Sequence, residues 1–522
     1  MKKILFPLVL LCLLVACSSD IENQNVTDAA IDSKSMELNY TSDNAYNLNV
    51  IYFIPTDNPA VPDYENRISG ILLHGQAFYK KWMNLNGYGD KTFGLLVDKA
   101  KKRVKIITIK GKYPMINYVS GKHDNMVTEI NEYFAQNPSE KTSDHYLVIQ
   151  PNHTLPEGIP YYASGRWGFC NDLPQMNVNL LGTGGDDGNK ATTYIGGLLH
   201  EMGHAINLPH NSESVSQRAS SEYGTALMGS GNFTYGKSPT FLTAVDCATL
   251  NSSQVFSKVN TAFYNQEPVV ALNKISASYI NGNIIVSGKF QSDIAVSSVI
   301  CYNDPADDNA DYDAVGWKAQ TNADGTFTFN MPIAELHKKG NTPYKLRIRF
   351  CHTNGTISTF WFSYTFANDQ PIIDFGFKVS QYDKSGWSVV GFSSNETSGE
   401  DGSAARIIDD NLNTSWLSQW SDPFAVHPHY ITIDMKQSLS IKGFTIAMEQ
   451  LYDTKSKDIE ILLSNDGTTW ESAGNFVLKE MPGPQHVYLN AVKNARYFKI
   501  IITSSWNGSG AANVSEIGAF NE

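Results

Sequence analysis

A chain of 522 residues is long enough for about three domains of ordinary size. Its 42% hydrophobic and 18% charged residues are those of a globular protein and exclude a disordered or collagen-like chain. The net charge of -12, with no long Lys/Arg run, argues against nucleic acid as a partner, because neutralising phosphates takes clustered cations.

In chain order, "MKKILFPLVLLCLLVACSSD" opens with a short basic start and an apolar run, then small residues before a cysteine. That pattern is a secretory signal, too short to be a spanning helix. Leu14-Val15-Ala16-Cys17 resembles the lipobox of bacterial lipoproteins. The resemblance implies a signal peptide over 1–16, a lipidated Cys17, and export to the outer membrane or cell surface. No later segment is a membrane-length apolar run, so the lipid is the expected anchor. Residues 17–37 are polar and non-periodic and read as a flexible tether.

Residues 38–267 alternate strand and helix. "NLNVIYFI" (47–54), "VKIITIK" (104–110) and "DHYLVIQ" (144–150) read as strands. Residues 67–84 and 124–137 have helical apolar spacing, the second stopped by Pro138. The order predicts a mixed sheet with helices packed on it, an α/β (α+β) domain. Residues 268–372 shift to short strands and turns, with Asn281-Gly282 as a hairpin turn, and predict an immunoglobulin-like β-sandwich. Residues 373–522 form another all-β block. Outside Cys12 and Cys17 the cysteines are Cys170, Cys247, Cys301 and Cys351, in an exported chain where disulfides persist. Three pairings are open to them; the domain reading favours Cys170–Cys247 and Cys301–Cys351.

The strongest signal is "LLHEMGHAINLPHN" (198–211). At 100° per residue, Ile195, Leu198, Leu199, Met202, Ala205 and Ile206 share one face, with Thr192 or Thr193 as N-cap. His200 and His204 lie opposite, one turn apart, where two imidazoles can meet one metal ion. Pro209 predicts that the helix stops near Asn207, so the chain turns and returns His210 to the same point. Three protein ligands leave a position open for water, the mark of a catalytic zinc. Glu201 stands beside that position as a general base. Only 12 of the residues are His, and three at this spacing with Glu201 in place arise by chance in roughly one chain in a few thousand.

His200-Glu201-x-x-His204-x-x-Asn207-x-x-His210 resembles the H-E-x-x-H-x-x-G-x-x-H signature of the metzincin zinc endopeptidases. The resemblance implies zinc ligands His200, His204 and His210, with Glu201 as base. It also implies a methionine turn under the metal, which "YGTALMGSGN" (223–232) offers as Met228. Residues 87–93, "GYGDKTF", resemble a segment of secreted zinc proteases of this type. The family glycine is Asn207 here, the non-glycine residue best suited to left-handed backbone. Several subfamilies carry a transition-state-stabilising tyrosine two residues past the methionine. That position is Ser230, which leaves Tyr235 or Tyr223 to stand in.

Residues 376–522 resemble the discoidin-like domains of coagulation factors V and VIII and the related galactose-binding-like carbohydrate modules. "SGWSVVGFSS", "IIDDNLNTSW", "HYITIDM", "LSNDGTTWE", "ARYFKIIIT" and "VSEIGAF" follow in family order. The resemblance implies a β-sandwich jelly roll with a structural calcium on Asp409, Asn411, Thr414 and Glu516. It also implies glycan contacts on apical loops, with Trp420, His427, Trp506 and Asn507 as candidates and Trp416 in the core.

These readings combine into a surface-anchored zinc endopeptidase acting on protein or glycoprotein, mucin included. It carries a glycan-binding module and uses Zn2+, with Ca2+ as a structural ion. The alternative is a glycan-binding adhesin with an inactive or structural zinc site.

Overall fold

The structure, a computed structural model, describes residues 38–522 apart from 120–122, 153–161, 307–308, 374, 377–378, 450–454 and 482. The expected signal peptide, tether and lipidation at Cys17 lie outside the described residues. Among the described residues no helix is long and apolar enough to cross a membrane.

The first layer is a five-stranded sheet in the order Ile107–Lys110, Asn49–Ile54, Tyr146–Pro151, Trp167–Asp172, Tyr162–Ser164. The first four run parallel and the last is an antiparallel edge. Alternate residues of each strand serve opposite faces. Val50, Tyr52, Leu147, Ile149 and Cys170 meet the helices Tyr64–Leu85 and Gly185–Ala205. Ile51, Phe53, Val148 and Phe169 meet the helix His123–Gln136 through Met126, Ile130 and Phe134. Burial on both faces is why these strands read as unbroken apolar runs.

The helix Gly185–Ala205 carries the histidines. All six residues assigned to its apolar face are fully buried. It lies so close to the sheet that a Cβ on Gly168 would sit 2.6 Å from the Glu201 carbonyl oxygen, so only glycine fits there. Its start corrects the sequence reading: the N-cap is Gly184, and Thr192 and Thr193 lie mid-helix. Asp186 and Asp187 in the first turn favour the earlier start by opposing the helix dipole.

Two five-stranded antiparallel sheets follow. One contains Val270–Ile280 and Asn283–Ser292 joined at Asn281-Gly282, both with positive φ. The other contains Val296–Pro305, Pro343–His352 and Ile357–Ala367. Their inner faces share one core with Leu272, Val286, Val299, Phe327, Leu346 and Phe360. The outer face of the second sheet buries Ile300, Tyr302 and Cys351 against Val245 and Ala248 of the helix Ala244–Leu250. The histidine-bearing layer and the sandwich are therefore packed together through apolar side chains.

The C-terminal block is a six-stranded antiparallel sheet built on the long strands His429–Met448 and Gly483–Ile502. Trp416 is fully buried in its core, where the sequence put it.

The disulfide expectation is overturned. Cys170, Cys247, Cys301 and Cys351 are all free, buried thiols. The register explains the second pair: Cys301 stands opposite Ile348, three residues from Cys351, so the two cysteines face opposite sides of the sheet. Cys301 packs toward Met331 and Cys351 toward Thr249. Cys170 and Cys247 each belong to the first layer's core without bridging. Burial pushes all four thiols up.

Candidate active site

The histidine helix ends where Pro209 predicted, at Ala205, and Asn207 takes φ 81°. The Leu208 amide donates back to the Gly203 carbonyl at 3.0 Å, closing a tight turn. That turn brings His210 round to the two helix histidines. The three Nε2 atoms lie 3.1, 3.0 and 3.2 Å apart. Each Nδ1 lies against a backbone carbonyl: His200 on Leu227 at 2.8 Å, His204 on Leu208 at 2.7 Å, His210 on Ala310 at 2.7 Å. A carbonyl only accepts, so each Nδ1 carries the hydrogen and each Nε2 presents a bare lone pair. Burial lowers the pKa of all three, His200 to about 3 and His204 to about 4, which keeps the imidazoles neutral.

Three lone pairs aimed at one point repel unless a cation lies between them. Tetrahedral zinc with roughly 2.0–2.1 Å bonds needs nitrogens about 3.3 Å apart, close to what is found. Among the described residues these three are the one group of three or more His, Cys, Asp or Glu side chains whose donor atoms converge within 4.8 Å. The donor set fits a metal ion.

Met228 is fully buried beneath the site. A Cβ on Gly203, between the two helix ligands, would lie 2.5 Å from its sulfur. The preceding carbonyl, Leu227, is the one that orients His200. Glu201 lines a cavity of about 690 Å³ together with His204 and His210. Burial pushes its carboxyl up to about 7.

Tyr235 is a correction. Its hydroxyl is engaged with His74 Nε2 at 2.9 Å and its ring is buried against Phe78, away from the cavity. Tyr223 packs on Trp82 and Phe241. The tyrosine that reaches the site is Tyr312, from the β-sandwich. Its ring stacks on His210 with centroids 3.8 Å apart, and it lines the same cavity. Arg349 of the sandwich lines it too. Both residues lie a hundred positions or more beyond the motif, and no local pattern marks them.

In the C-terminal domain the four calcium candidates do not form an open oxygen cage. Asp409 Oδ2 accepts from the Thr414 hydroxyl at 2.7 Å, and its Oδ1 accepts from the Asn411 amide at 3.0 Å. Glu516 is paired with the buried Lys384 ammonium, which also reaches Asp410 Oδ1 at 2.8 Å. A cation is already present there, on the protein's own side chain.

The four glycan candidates separate. Trp420, 43% exposed, lines a cavity of about 370 Å³ with Phe424, Glu400, Glu449 and Asn513. His427 is held by Ser505 Oγ at 3.0 Å and the Ile502 carbonyl at 3.2 Å. The Trp506 indole donates to the Leu478 carbonyl at 3.0 Å, and Asn507 Oδ1 accepts from the Ser509 amide at 3.0 Å. None of these three lines the Trp420 cavity.

Fold and site together define a multidomain, mostly β protein. A cradle of three imidazoles, two on a helix and one on the turn beyond it, comes first with a buried carboxylate, and an F5/8 type C domain matches residues 390–517. The chain is 35% identical to OgpA from Akkermansia muciniphila in the structure of its catalytically inactive form with an O-glycopeptide (glycodrosocin) substrate. The TM-score is 0.60, over 63% of this chain and 96% of OgpA. Against wild-type OgpA the identity is 36% and the TM-score 0.58, over the same shares of each chain. The chain belongs to the OgpA family. It is also 32% identical over 144 residues to a sialidase from Micromonospora viridifaciens, a match spanning 27% of this chain and 22% of the sialidase.

Proposed function

We propose that this protein is a metzincin-type zinc endopeptidase that cleaves O-glycosylated proteins, mucins among them, from a lipid anchor at Cys17 on the bacterial surface. The observation that carries the reading is the convergence of three bare Nε2 atoms beside Glu201, in a family whose member OgpA was crystallised with an O-glycopeptide substrate.

His200, His204 and His210 would hold the zinc, which when bound acidifies water and polarises a carbonyl. Glu201 takes the proton of the attacking water and returns it to the amide nitrogen as the C–N bond breaks. The edge strand Tyr162–Ser164 borders the cavity through Tyr162 and Ala163. An extended peptide laid alongside this strand is the binding mode we infer for the substrate.

The glycan module acts through the Trp420 cavity. Trp420 and Phe424 supply apolar wall and Glu400 supplies negative charge, while burial pushes the Glu449 carboxyl up to about 7; no lysine or arginine stands among the described lining residues. That charge favours neutral or amino sugars over sialylated termini. Tethering a glycan binder to the peptidase raises the local concentration of glycosylated substrate.

The test is cleavage of an O-glycosylated mucin, and of the same mucin stripped of glycans, by the soluble mature protein and by Glu201→Ala. Cleavage by the wild type alone, lost on stripping, is the expected result. Absence of cleavage with full zinc occupancy would shift the reading to a glycan-binding adhesin. Absence of bound zinc would end the peptidase reading.

A further inference from the structure

The β-sandwich lines the cavity with Arg349, Gly355 and Thr356, and one further loop of it reaches the histidines. Ala310 and Asp311 both hold positive φ, 53° and 67°, a conformation that aspartate tolerates but a residue such as alanine rarely adopts. The surroundings hold the loop there. Asp311 Oδ2 accepts from Arg347 at 2.7 Å, Asp313 pairs with Lys338 at 2.7 Å, and the Ser212 amide donates to the Ala314 carbonyl at 2.7 Å. The strained backbone delivers two things to the histidine site. The Ala310 carbonyl accepts the His210 Nδ1 hydrogen, and the Tyr312 ring lies flat over the His210 imidazole and parallel to that of His200, 6.1 Å away. Strain of this kind persists where it serves a site.

Peptide hydrolysis builds negative charge on the carbonyl oxygen, and a preplaced donor there lowers the barrier. The position two residues beyond Met228 is Ser230, Tyr235 is committed to His74, and Tyr223 is packed on Trp82. Of the two tyrosines lining the cavity, Tyr162 stacks on Phe169 at 4.6 Å in the core on the sheet's other face. Tyr312 is 38% exposed and shares the cavity with Glu201.

We infer that Tyr312 is a catalytic residue contributed by the second domain, donating its hydroxyl hydrogen to the substrate carbonyl oxygen as that oxygen gains charge. The inference rests on the peptidase reading above. An O–H bond of water breaks and its proton passes to Glu201; the new C–O bond forms and the carbonyl π pair moves onto oxygen, toward Tyr312. Collapse re-forms the carbonyl, breaks the C–N bond and returns the proton from Glu201 to nitrogen. Tyr312 keeps its own proton throughout.

The experiment compares full-length mature wild type, Tyr312→Phe and Arg349→Gln, each assayed for bound zinc and for kcat and KM on an O-glycopeptide. Binding of the same glycopeptide is measured on Glu201→Ala and on Glu201→Ala/Tyr312→Phe. Tyr312→Phe is expected to hold stoichiometric zinc, with KM and glycopeptide Kd within about two-fold, and to lose on the order of 10²-fold in kcat. Wild-type kcat in Tyr312→Phe would overturn the inference. So would a loss traced to missing zinc or weaker glycopeptide binding, or a kcat loss confined to Arg349→Gln. A wild type that holds zinc and cleaves nothing overturns the peptidase reading first, a result distinct from a Tyr312→Phe as active as its parent.

Discussion

Two regions of this molecule carry residues suited to metal, and they behave in opposite ways. At His200, His204 and His210 every Nδ1 hydrogen is spent on a backbone carbonyl, and three bare nitrogens are left facing one another. At Asp409–Thr414 the oxygens accept from a hydroxyl and an amide, and the Lys384 ammonium is set between Asp410 and Glu516. The first set has three bare donors and no cation of its own, whereas the second holds the Lys384 ammonium and leaves one buried oxygen, Glu516 Oε1, without a hydrogen-bond partner. Ligand-type residues at the right spacing are thus weaker evidence than donor atoms without internal partners.

Stripping the metal separates the two most sharply. Strong chelation, or His204→Ala, is expected to abolish cleavage and to lower the melting temperature by roughly 10 °C, since a ligand at a thousand times its Kd stabilises by about 4 kcal/mol. Calcium added back should restore neither. An unchanged melting curve in the zinc-free protein would remove the distinction drawn above.

The next effect tests the other region. Lys384 and Glu516 are both about 5% exposed, so Lys384→Met leaves a buried carboxylate without its cation, at about 3 kcal/mol. Burial already pushes Glu516 upward while Lys384 pulls it back. Without the ammonium the folded pKa rises further, the folded state binds more protons than the unfolded one, and stability falls as pH rises through neutrality. Urea melts of wild type and variant at acid and at mildly alkaline pH measure this. A calcium-dependent melt in the wild type would instead restore the oxygen cage. Smaller again, Trp420→Ala should weaken glycan binding on the order of 10-fold, about 1.4 kcal/mol, while Trp506→Ala, whose indole is tied to Leu478, leaves it within two-fold. Calorimetry with a neutral mucin-type disaccharide decides, and equal losses would place the glycan elsewhere.

What the sequence could carry follows the same line. Periodicity placed the histidine helix, and Pro209 placed its end, because both are local. The F5/8 type C block was legible as six short pieces in order. Tyr312 and Ala310 were not, because loop 309–314 meets the site through tertiary contacts: Val245 and Ala248 packed on Ile300 and Tyr302, and the Ser212 amide on the Ala314 carbonyl. The disulfides failed for a related reason: the count of cysteines is visible, but the register that turns Cys301 and Cys351 to opposite faces is a tertiary fact.

The smallest expected effect concerns the departure from the metzincin signature. Asn207 takes φ 81°, the left-handed region, and its side-chain amide also donates to the Gly355 carbonyl of the sandwich at 3.4 Å. Asn207→Gly relieves the steric cost of a Cβ in that region but loses this long contact and gives the unfolded chain more freedom. The terms oppose and are each below about 1 kcal/mol, so kcat and melting temperature should move little. Asn207→Ala has neither glycine's freedom nor asparagine's tolerance of left-handed backbone, and its strain falls on the turn that returns His210. It should reduce zinc affinity before it reduces fold stability, as competition with a chromogenic chelator would report. A melting loss without a change in zinc affinity would mean that the turn serves the fold and that His210 is positioned by the Ala310 carbonyl alone.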